Sequence, residues 1–141
     1  MDIILHRKYK DVELSAEQVS MFADIVQDDE AIRKVFLQIG KMTQQSREED
    51  ELVAGVTITD VAKVVKINRK VQNTGGSYDT KYTYIDQKHA ERVINNLLVM
   101  SLCFYQPVAK TKLINYTSRG KQVAAEIIKR SAKQKEEKGE I

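Results

Sequence analysis

The sequence predicts a mainly helical α+β domain that carries a small β-ribbon. Apolar residues recur at three- and four-residue spacing in several segments, and two extended runs near residues 102–117 are rich in β-branched and aromatic residues. The chain has 141 residues, of which 42% are apolar, enough to build one hydrophobic core. We therefore expect a single domain over residues 1–130, followed by a solvated tail at 131–141.

Composition excludes several classes of protein. The single cysteine, Cys103, rules out an internal disulfide and a cysteine-rich metal site, and it favours a reducing compartment. The apolar run at the start is too short for a signal peptide, and no segment is long enough to cross a membrane, so we expect a cytoplasmic protein without membrane contact. We find no nucleophile–base pair, no phosphate-binding glycine loop and no set of metal ligands. The sequence predicts no catalytic residue, no metal and no cofactor, and therefore a protein that is not an enzyme.

Charge is distributed unevenly along the chain. Residues 1–60 contain 7 Lys and Arg against 13 Asp and Glu, whereas residues 61–141 contain 16 against 7. The two parts carry −6 and +9, which together give the formal net charge of +3. Because phosphate contact depends on local positive potential, the second part is a candidate for binding nucleic acid. A solvated surface with unevenly placed lysines is the alternative.

The first 50 residues predict a helical part. Met1 to Val12 is either an edge strand or an arm, and the sequence leaves both open. Ser15 and Gln18 form a capping-box pattern before a helix with one apolar stripe. Asp28 or Asp29 can cap the next helix, which buries Ile32, Val35, Phe36 and Ile39 and reaches Met42. The charged run at 44–52 predicts a connector that is either a solvated loop or a frayed helix end.

The segment from Thr57 to Tyr84 combines a short helix with a polar insert. Thr57 or Thr59 can cap a compact helix that extends to Ile67. A glycine-rich turn at 73–77 follows, and its flanks, Lys66 to Gln72 and Thr80 to Ile85, can pair as a hairpin. Basic and aromatic side chains in this insert can touch a nucleic-acid backbone: Arg69, Lys70, Lys81, Tyr78, Tyr82 and Tyr84. A surface loop whose tyrosines pack against the domain is the alternative.

A second helix and a ribbon come next. Asp86 can cap a helix whose apolar residues Ala90, Val93, Ile94, Leu97 and Leu98 share one face. Leu102 to Val108 and Thr111 to Thr117 predict the two strands of the ribbon. Thr117 can then cap a helix over 118–130 that buries Val123, Ala124, Ile127 and Ile128.

The order helix, basic ribbon, helix resembles the winged helix of MarR-type transcriptional repressors. "TITDVA" at 57–62 is similar to the opening of many bacterial helix-turn-helix units, and Asp86 stands at the family's cap position. Ser101 occupies the place of a glycine that ends the recognition helix, and "YTSRGK" at 116–121 is similar to the family's "L-T-x-x-G-[KR]". The likeness covers about half of the chain, from Thr57 to Arg130. It implies a winged helix-turn-helix at 57–117 with extra N-terminal helices.

A second alignment gives a different recognition helix. Residues 57–73 also resemble the opening of lactose-repressor-type proteins, which would place that helix at Asn68 to Asn73. Gly75 and Gly76 would stop it after about two turns, and the apolar periodicity of residues 90–98 would be unexplained. The later helix is therefore favoured.

The winged-helix resemblance implies a bacterial or phage transcriptional regulator of the repressor type, which binds specific sequences in double-stranded DNA. The recognition helix at 86–98 would enter the major groove, and the basic wing at 104–117 would approach the minor groove. The implied DNA contacts are Gln87, Lys88, Glu91, Arg92 and Asn95 on the helix, Lys110 and Lys112 near the wing tip, and Lys63, Lys66, Arg69, Lys70, Arg119 and Lys121 at phosphates.

Two further expectations concern partners. The apolar residues Phe22, Ile25, Ile127 and Ile128 can serve a homodimer or the monomer core. The alternative function is a winged helix used as a protein-interaction module, such as a phage-type antirepressor or the partner of a regulator. In that case the acidic N-terminal half, not the 86–96 face, would carry the function.

Overall fold

The computed structural model describes residues 3–49, 55–108 and 110–137, and it is a mixed α+β structure. Within these ranges the chain forms six helices and two antiparallel two-stranded sheets. The helices are α1 (Ile3–Lys8), α2 (Ala16–Asp28), α3 (Glu30–Glu49), α4 (Ile58–Ala62), α5 (Gln87–Val99) and α6 (Ser118–Glu137). The strands are β1 (Lys66–Gln72), β2 (Tyr78–Tyr84), β3 (Cys103–Val108) and β4 (Thr111–Tyr116). No helix in the described part is long and apolar enough to cross a membrane.

Local capping signals correctly predict where α2, α3 and α4 start. Ser15 and Gln18 exchange the two hydrogen bonds of a capping box at α2, and Thr57 and Asp60 do the same at α4. Asp29 Oδ1 accepts a hydrogen bond of 2.9 Å from the Ile32 amide at the start of α3. Each cap satisfies amides that the first helical turn leaves unpaired.

The N-terminal part is more helical than the sequence predicts. The expectation of an edge strand or an arm at the start is wrong, because residues 3–8 form α1, which packs against β3. Helix α3 continues past Met42 and through most of the expected connector to Glu49; residues 50–52 of that connector lie outside the described residues. Gly40 leaves room within this helix for the Tyr116 ring, because a Cβ atom at residue 40 would collide with that ring, and the Tyr116 hydroxyl donates to the Phe36 carbonyl.

The polar insert forms the predicted hairpin, with the first strand at its predicted bounds and the second at Tyr78–Tyr84 instead of Thr80 to Ile85. Strands β1 and β2 pair in a regular antiparallel register from Lys66 opposite Tyr84 to Gln72 opposite Tyr78. The helix expected to reach Ile67 ends at Ala62, because the chain turns to start β1. Asn68 to Asn73 lies in β1 and the following turn, so the alternative alignment, with a recognition helix there, is wrong.

Helix α5 and the second ribbon have nearly the predicted bounds. Asp86 Oδ1 caps α5 by accepting from the His89 amide at 2.8 Å. Ser101 adopts φ of 59°, the left-handed conformation that ends many helices, and the Leu102 amide donates to the Leu97 carbonyl. Strands β3 and β4 then pair, and Val56 bridges Ile114 of β4 through two backbone hydrogen bonds of 3.2 and 2.7 Å.

The core lies between the N-terminal helices, α5, β4 and α6. Its largest fully buried side chains include Phe36, Ile94, Leu97, Ile114 and Ile127. Helix α6 extends to Glu137, beyond the predicted end at 130, so the first part of the predicted solvated tail is helical, and residues 131–136 are exposed. Residues 138–141 lie outside the described residues. Ile128 is 61% exposed, so its predicted burial is wrong.

Candidate nucleic-acid interface

Helix α5 presents a polar face to solvent. The five apolar residues predicted to share one face of this helix are all buried, whereas Val99 at its last position is 71% exposed. The 3.6-residue period turns the intervening polar side chains outward. The outward residues include all five predicted DNA contacts of the helix: Gln87, Lys88, Glu91, Arg92 and Asn95. This face offers amides, two cations and one carboxylate, the groups that meet base edges and phosphates in major-groove recognition.

The N-terminus of α5 is tied to the first hairpin by an ion pair. Arg69 Nη2 lies 3.1 Å from Asp86 Oδ2, and Arg69 Nη1 donates to the Tyr84 carbonyl at 3.0 Å. The His89 amide, together with the positive charges of Arg69 and Arg92, lowers the pKa of Asp86 below its ordinary value. Arg69, predicted as a phosphate contact, is therefore already paired with a carboxylate and is only partly exposed.

The β3–β4 ribbon carries two of the predicted cations near its turn. Lys110 is exposed in the turn itself, and Lys112 is exposed on β4 opposite Pro107. Lys112 Nζ lies 5.6 Å from the centroid of the Tyr105 ring, within the range of a cation–π contact. Burial raises the pKa of Tyr105, so this phenol stays neutral at physiological pH.

The remaining predicted phosphate contacts occupy different places. Lys63 is exposed directly after α4. Lys66 and Lys70 are exposed and share one face of β1, whereas Arg69 lies on the opposite face. Lys121 is exposed on α6 and lines a cavity of about 530 Å³ between α3, β4 and α6, together with Leu37, Gly40, Tyr116 and Ile128.

Arg119 does not have the predicted role, because its side chain is buried. Only 8% of the residue is exposed, and burial lowers the pKa of its guanidinium. The guanidinium donates to the carbonyls of Tyr9, Val12 and Ser101 at 2.8, 2.5 and 3.2 Å, and to Ser101 Oγ at 2.7 Å. Arg119 therefore holds the segment after α1 against the turn after α5, and it cannot reach a phosphate in this conformation.

Two residues of α3 join the first hairpin, and sequence reasoning missed both. Glu30 accepts hydrogen bonds from the backbone and side-chain amides of Asn68, and the Asn68 amide holds the pKa of Glu30 below its ordinary value. Lys34 donates to the Lys66 carbonyl at 3.0 Å and to the Tyr82 hydroxyl at 3.3 Å. These contacts span more than 30 residues of sequence, and no local pattern signals them.

Comparisons with known proteins add no assignment. No protein-family model, curated protein or solved structure matches this chain. The described residues contain no group of three or more His, Cys, Asp or Glu side chains placed to hold a metal ion. The resemblance to MarR-type repressors therefore stays a hypothesis, and the function has to be inferred from the geometry of this chain.

Proposed function

We propose that this protein binds double-stranded DNA through the exposed face of α5 and acts as a transcriptional regulator of the repressor type. The observation that carries the proposal is the exposed set of amides and cations on α5, followed directly by an antiparallel ribbon with lysines at its turn. The major groove of B-form DNA is wide enough to admit an α-helix.

The surroundings of α5 support a winged helix-turn-helix architecture for this unit. Helix α4 packs against α5, as the first helix of such a unit packs on its recognition helix. The bridge between Val56 and Ile114 adds a third chain segment beside β4, so the ribbon is joined to the start of α4. The β1–β2 hairpin stands in place of the usual short turn between the two helices.

The chemistry of each side chain gives it a role in this proposal. Gln87 and Asn95 suit adenine edges, Lys88 and Arg92 suit guanine or phosphate, and Glu91 can accept from cytosine or orient a neighbouring cation. Lys110 and Lys112 approach the duplex from the ribbon. Lys63, Lys66, Lys70 and Lys121 contribute positive potential, which supplies affinity that weakens with salt.

The test measures the fluorescence anisotropy of a labelled mixed-sequence duplex as the full chain is added, at about 50 and 200 mM salt. We expect micromolar binding at the lower concentration and a sharp loss at the higher one. Replacing both Lys88 and Arg92 by glutamate should abolish binding. The matched control replaces Lys133 and Lys135 on α6 by glutamate, an identical change in net charge at exposed residues of another element.

Equal losses in the two double variants would show a general charge effect and would contradict the role of α5. Absence of binding by the unmodified chain at low salt would overturn DNA binding altogether. The alternative is then a protein-interaction module, and a search for a partner of the acidic N-terminal half would follow.

A homodimer is part of this proposal. Ile25 on α2 and Ile128 on α6 are 47% and 61% exposed, and the two helices pack against each other, whereas Ile127 belongs to the core. A two-fold dimer predicts a palindromic operator whose half-sites lie about one helical turn apart. Light scattering coupled to size-exclusion chromatography measures the oligomeric state directly.

A further inference from the structure

One face of the β1–β2 hairpin collects tyrosines and lysines. Residues directly opposite each other in an antiparallel pair, and residues two apart along a strand, point to the same side. The register therefore places eight residues on one surface, here called the tyrosine face: Lys66, Asn68, Lys70, Gln72, Tyr78, Thr80, Tyr82 and Tyr84. All eight are exposed.

The tyrosine face is not needed to build the core. Tyr78, Tyr82 and Tyr84 are 64%, 61% and 50% exposed, whereas Ile67 on the opposite face of the hairpin is 3% exposed. The opposite face therefore supplies the buried contact with the core through Ile67, and the tyrosine face meets α3 through hydrogen bonds of Asn68 and Tyr82. Three half-exposed aromatic rings on one short ribbon are a large apolar surface for a solvated hairpin, and such surfaces mark binding sites.

The charge around these rings is positive. None of the eight residues is acidic, and Lys66 Nζ lies 4.9 Å from the centroid of the Tyr84 ring. Helix α3 adds Lys34, whose Nζ lies 4.6 Å from the centroid of the Tyr82 ring. The nearby carboxylate of Glu30 is occupied by Lys34 at 3.5 Å and by the amides of Asn68. The rings are thus flanked by ammonium groups, which attract a polyanion.

We propose that the tyrosine face binds single-stranded nucleic acid, with bases stacked on the tyrosine rings and phosphates near Lys66 and Lys70. Stacking on an aromatic side chain requires an accessible base face, and a duplex hides its base faces inside the helix. A single strand exposes its base faces and still carries the negative charge of its phosphates. Tyr82 and Tyr84 lie two residues apart on β2, about 6.6 Å along the strand, so both rings can meet neighbouring bases.

The hairpin is held in position before any ligand arrives. Lys34 donates to the Lys66 carbonyl, Glu30 accepts from the Asn68 amide, and the Ile85 amide donates to the Val65 carbonyl at 2.9 Å. A surface that is already ordered loses less conformational entropy on binding. The tyrosine face contains no residue of α5, so its rings lie outside the proposed duplex interface, although Lys66 and Lys70 contribute positive potential to both.

The test measures the fluorescence anisotropy of a labelled 12-nucleotide oligo(dT), which forms no duplex, as the full chain is added. Replacing Tyr82 and Tyr84 together by alanine should weaken binding about thirtyfold or more, because two stacking contacts are lost. Replacing both by phenylalanine keeps the rings and should leave affinity within about twofold. Tyr9→Ala is the matched control, since Tyr9 is 48% exposed on another part of the chain and also lies beside a lysine.

A second measurement uses the unmodified chain. The sequence has six tyrosines and no tryptophan, so its intrinsic fluorescence reports on tyrosine, and stacking by oligo(dT) should quench part of it. Unchanged fluorescence at saturation would overturn the proposal, as would equal oligo(dT) affinity of the alanine variant. Equal losses of oligo(dT) affinity in the alanine and phenylalanine variants would assign binding to the tyrosine hydroxyls. An unlabelled 12-base-pair duplex that displaces the label as well as unlabelled oligo(dT) does would assign binding to the phosphates alone. Both outcomes contradict stacking.

Discussion

At the scale of single residues, Thr117 and Arg119 of the "YTSRGK" segment stabilise the fold. Thr117 Oγ1 donates to the Ser101 carbonyl at 2.7 Å and accepts from the Gly120 amide at 3.1 Å, so it links the end of α5 to the start of α6. Arg119 extends the same link to the segment after α1. A buried guanidinium that satisfies several carbonyls is expected to matter for stability. The motif therefore fixes the position of α6 against the ribbon.

Gly120 is required because the backbone of Leu102 approaches it closely. A Cβ atom at this position would collide with the Leu102 carbonyl oxygen, which also accepts the Thr117 amide at 3.1 Å. Alanine normally favours a helix by about 1 kcal/mol over glycine. We nevertheless expect Gly120→Ala to lower the free energy of unfolding by about 2 kcal/mol, since the colliding atom is backbone and cannot rotate away.

Urea unfolding followed by circular dichroism measures this loss. Gly75→Ala is the control, because a Cβ atom there meets nothing within 4 Å, and the change should stay within about 0.5 kcal/mol. A Gly120→Ala protein as stable as the unmodified chain would mean that α6 can shift away from Leu102 at little cost.

At the scale of elements, Asp86 couples the start of α5 to the first hairpin. Its carboxylate accepts from the His89 amide and pairs with Arg69, and the pKa of Asp86 is lowered as a result. A carboxyl group whose pKa is lower in the folded state stabilises the fold at pH values above its pKa in the unfolded chain, near 3.8. This stabilisation is lost as the pH falls through the pKa of the folded state. We expect Asp86→Ala to cost about 1 kcal/mol at pH 7, within the range for a lost N-cap.

The variant Asp86→Asn distinguishes the contribution of the helix cap from that of the negative charge. Asparagine caps helices about as well as aspartate but does not titrate in this range. The difference in unfolding free energy between the unmodified chain and Asp86→Asn should therefore be constant above about pH 5 and shrink as the pH falls below 4. A constant difference down to pH 2 would show that the charge of Asp86 contributes nothing to folding.

The elements show which features local sequence can predict. Caps at Ser15, Thr57 and Asp86 depend on residues three positions away, and Ser101 adopts the left-handed turn expected where the resemblance places a glycine. The hairpin at 66–84 follows from its glycine-rich turn. These contacts are local, so the pattern that encodes them lies within a few residues.

The missed features depend on distant contacts. Helix α1 packs against β3, Arg119 bonds carbonyls more than 100 residues away, and Lys34 bonds the Tyr82 hydroxyl across 48 positions. Ile128 follows the apolar stripe of α6, yet it borders an open cavity instead of the core. In the candidate interface, the exposed face of α5 was predictable from periodicity, whereas the burial of Arg119 was not.

At the scale of the whole molecule, the acidic and basic parts of the sequence fold around one core. Ala23 and Val26 of α2 and Phe36 of α3 belong to the same buried cluster as Ile94 of α5 and Ile127 of α6. The N-terminal helices therefore do not form a separate unit. We expect one cooperative unfolding transition, as is usual for single domains of this size.

Cys103 offers a probe of that cooperativity. The residue is fully buried in β3, and burial raises the pKa of its thiol, so the reactive thiolate is scarce in the folded protein. It is the only cysteine in the sequence, which makes any labelling signal unambiguous. We expect a thiol reagent to modify the protein only through unfolded molecules. The urea dependence of labelling should then coincide with the unfolding transition seen by circular dichroism. Labelling that proceeds in native buffer much faster than unfolding allows would mean that β3 opens locally, and the core would then comprise at least two units of different stability.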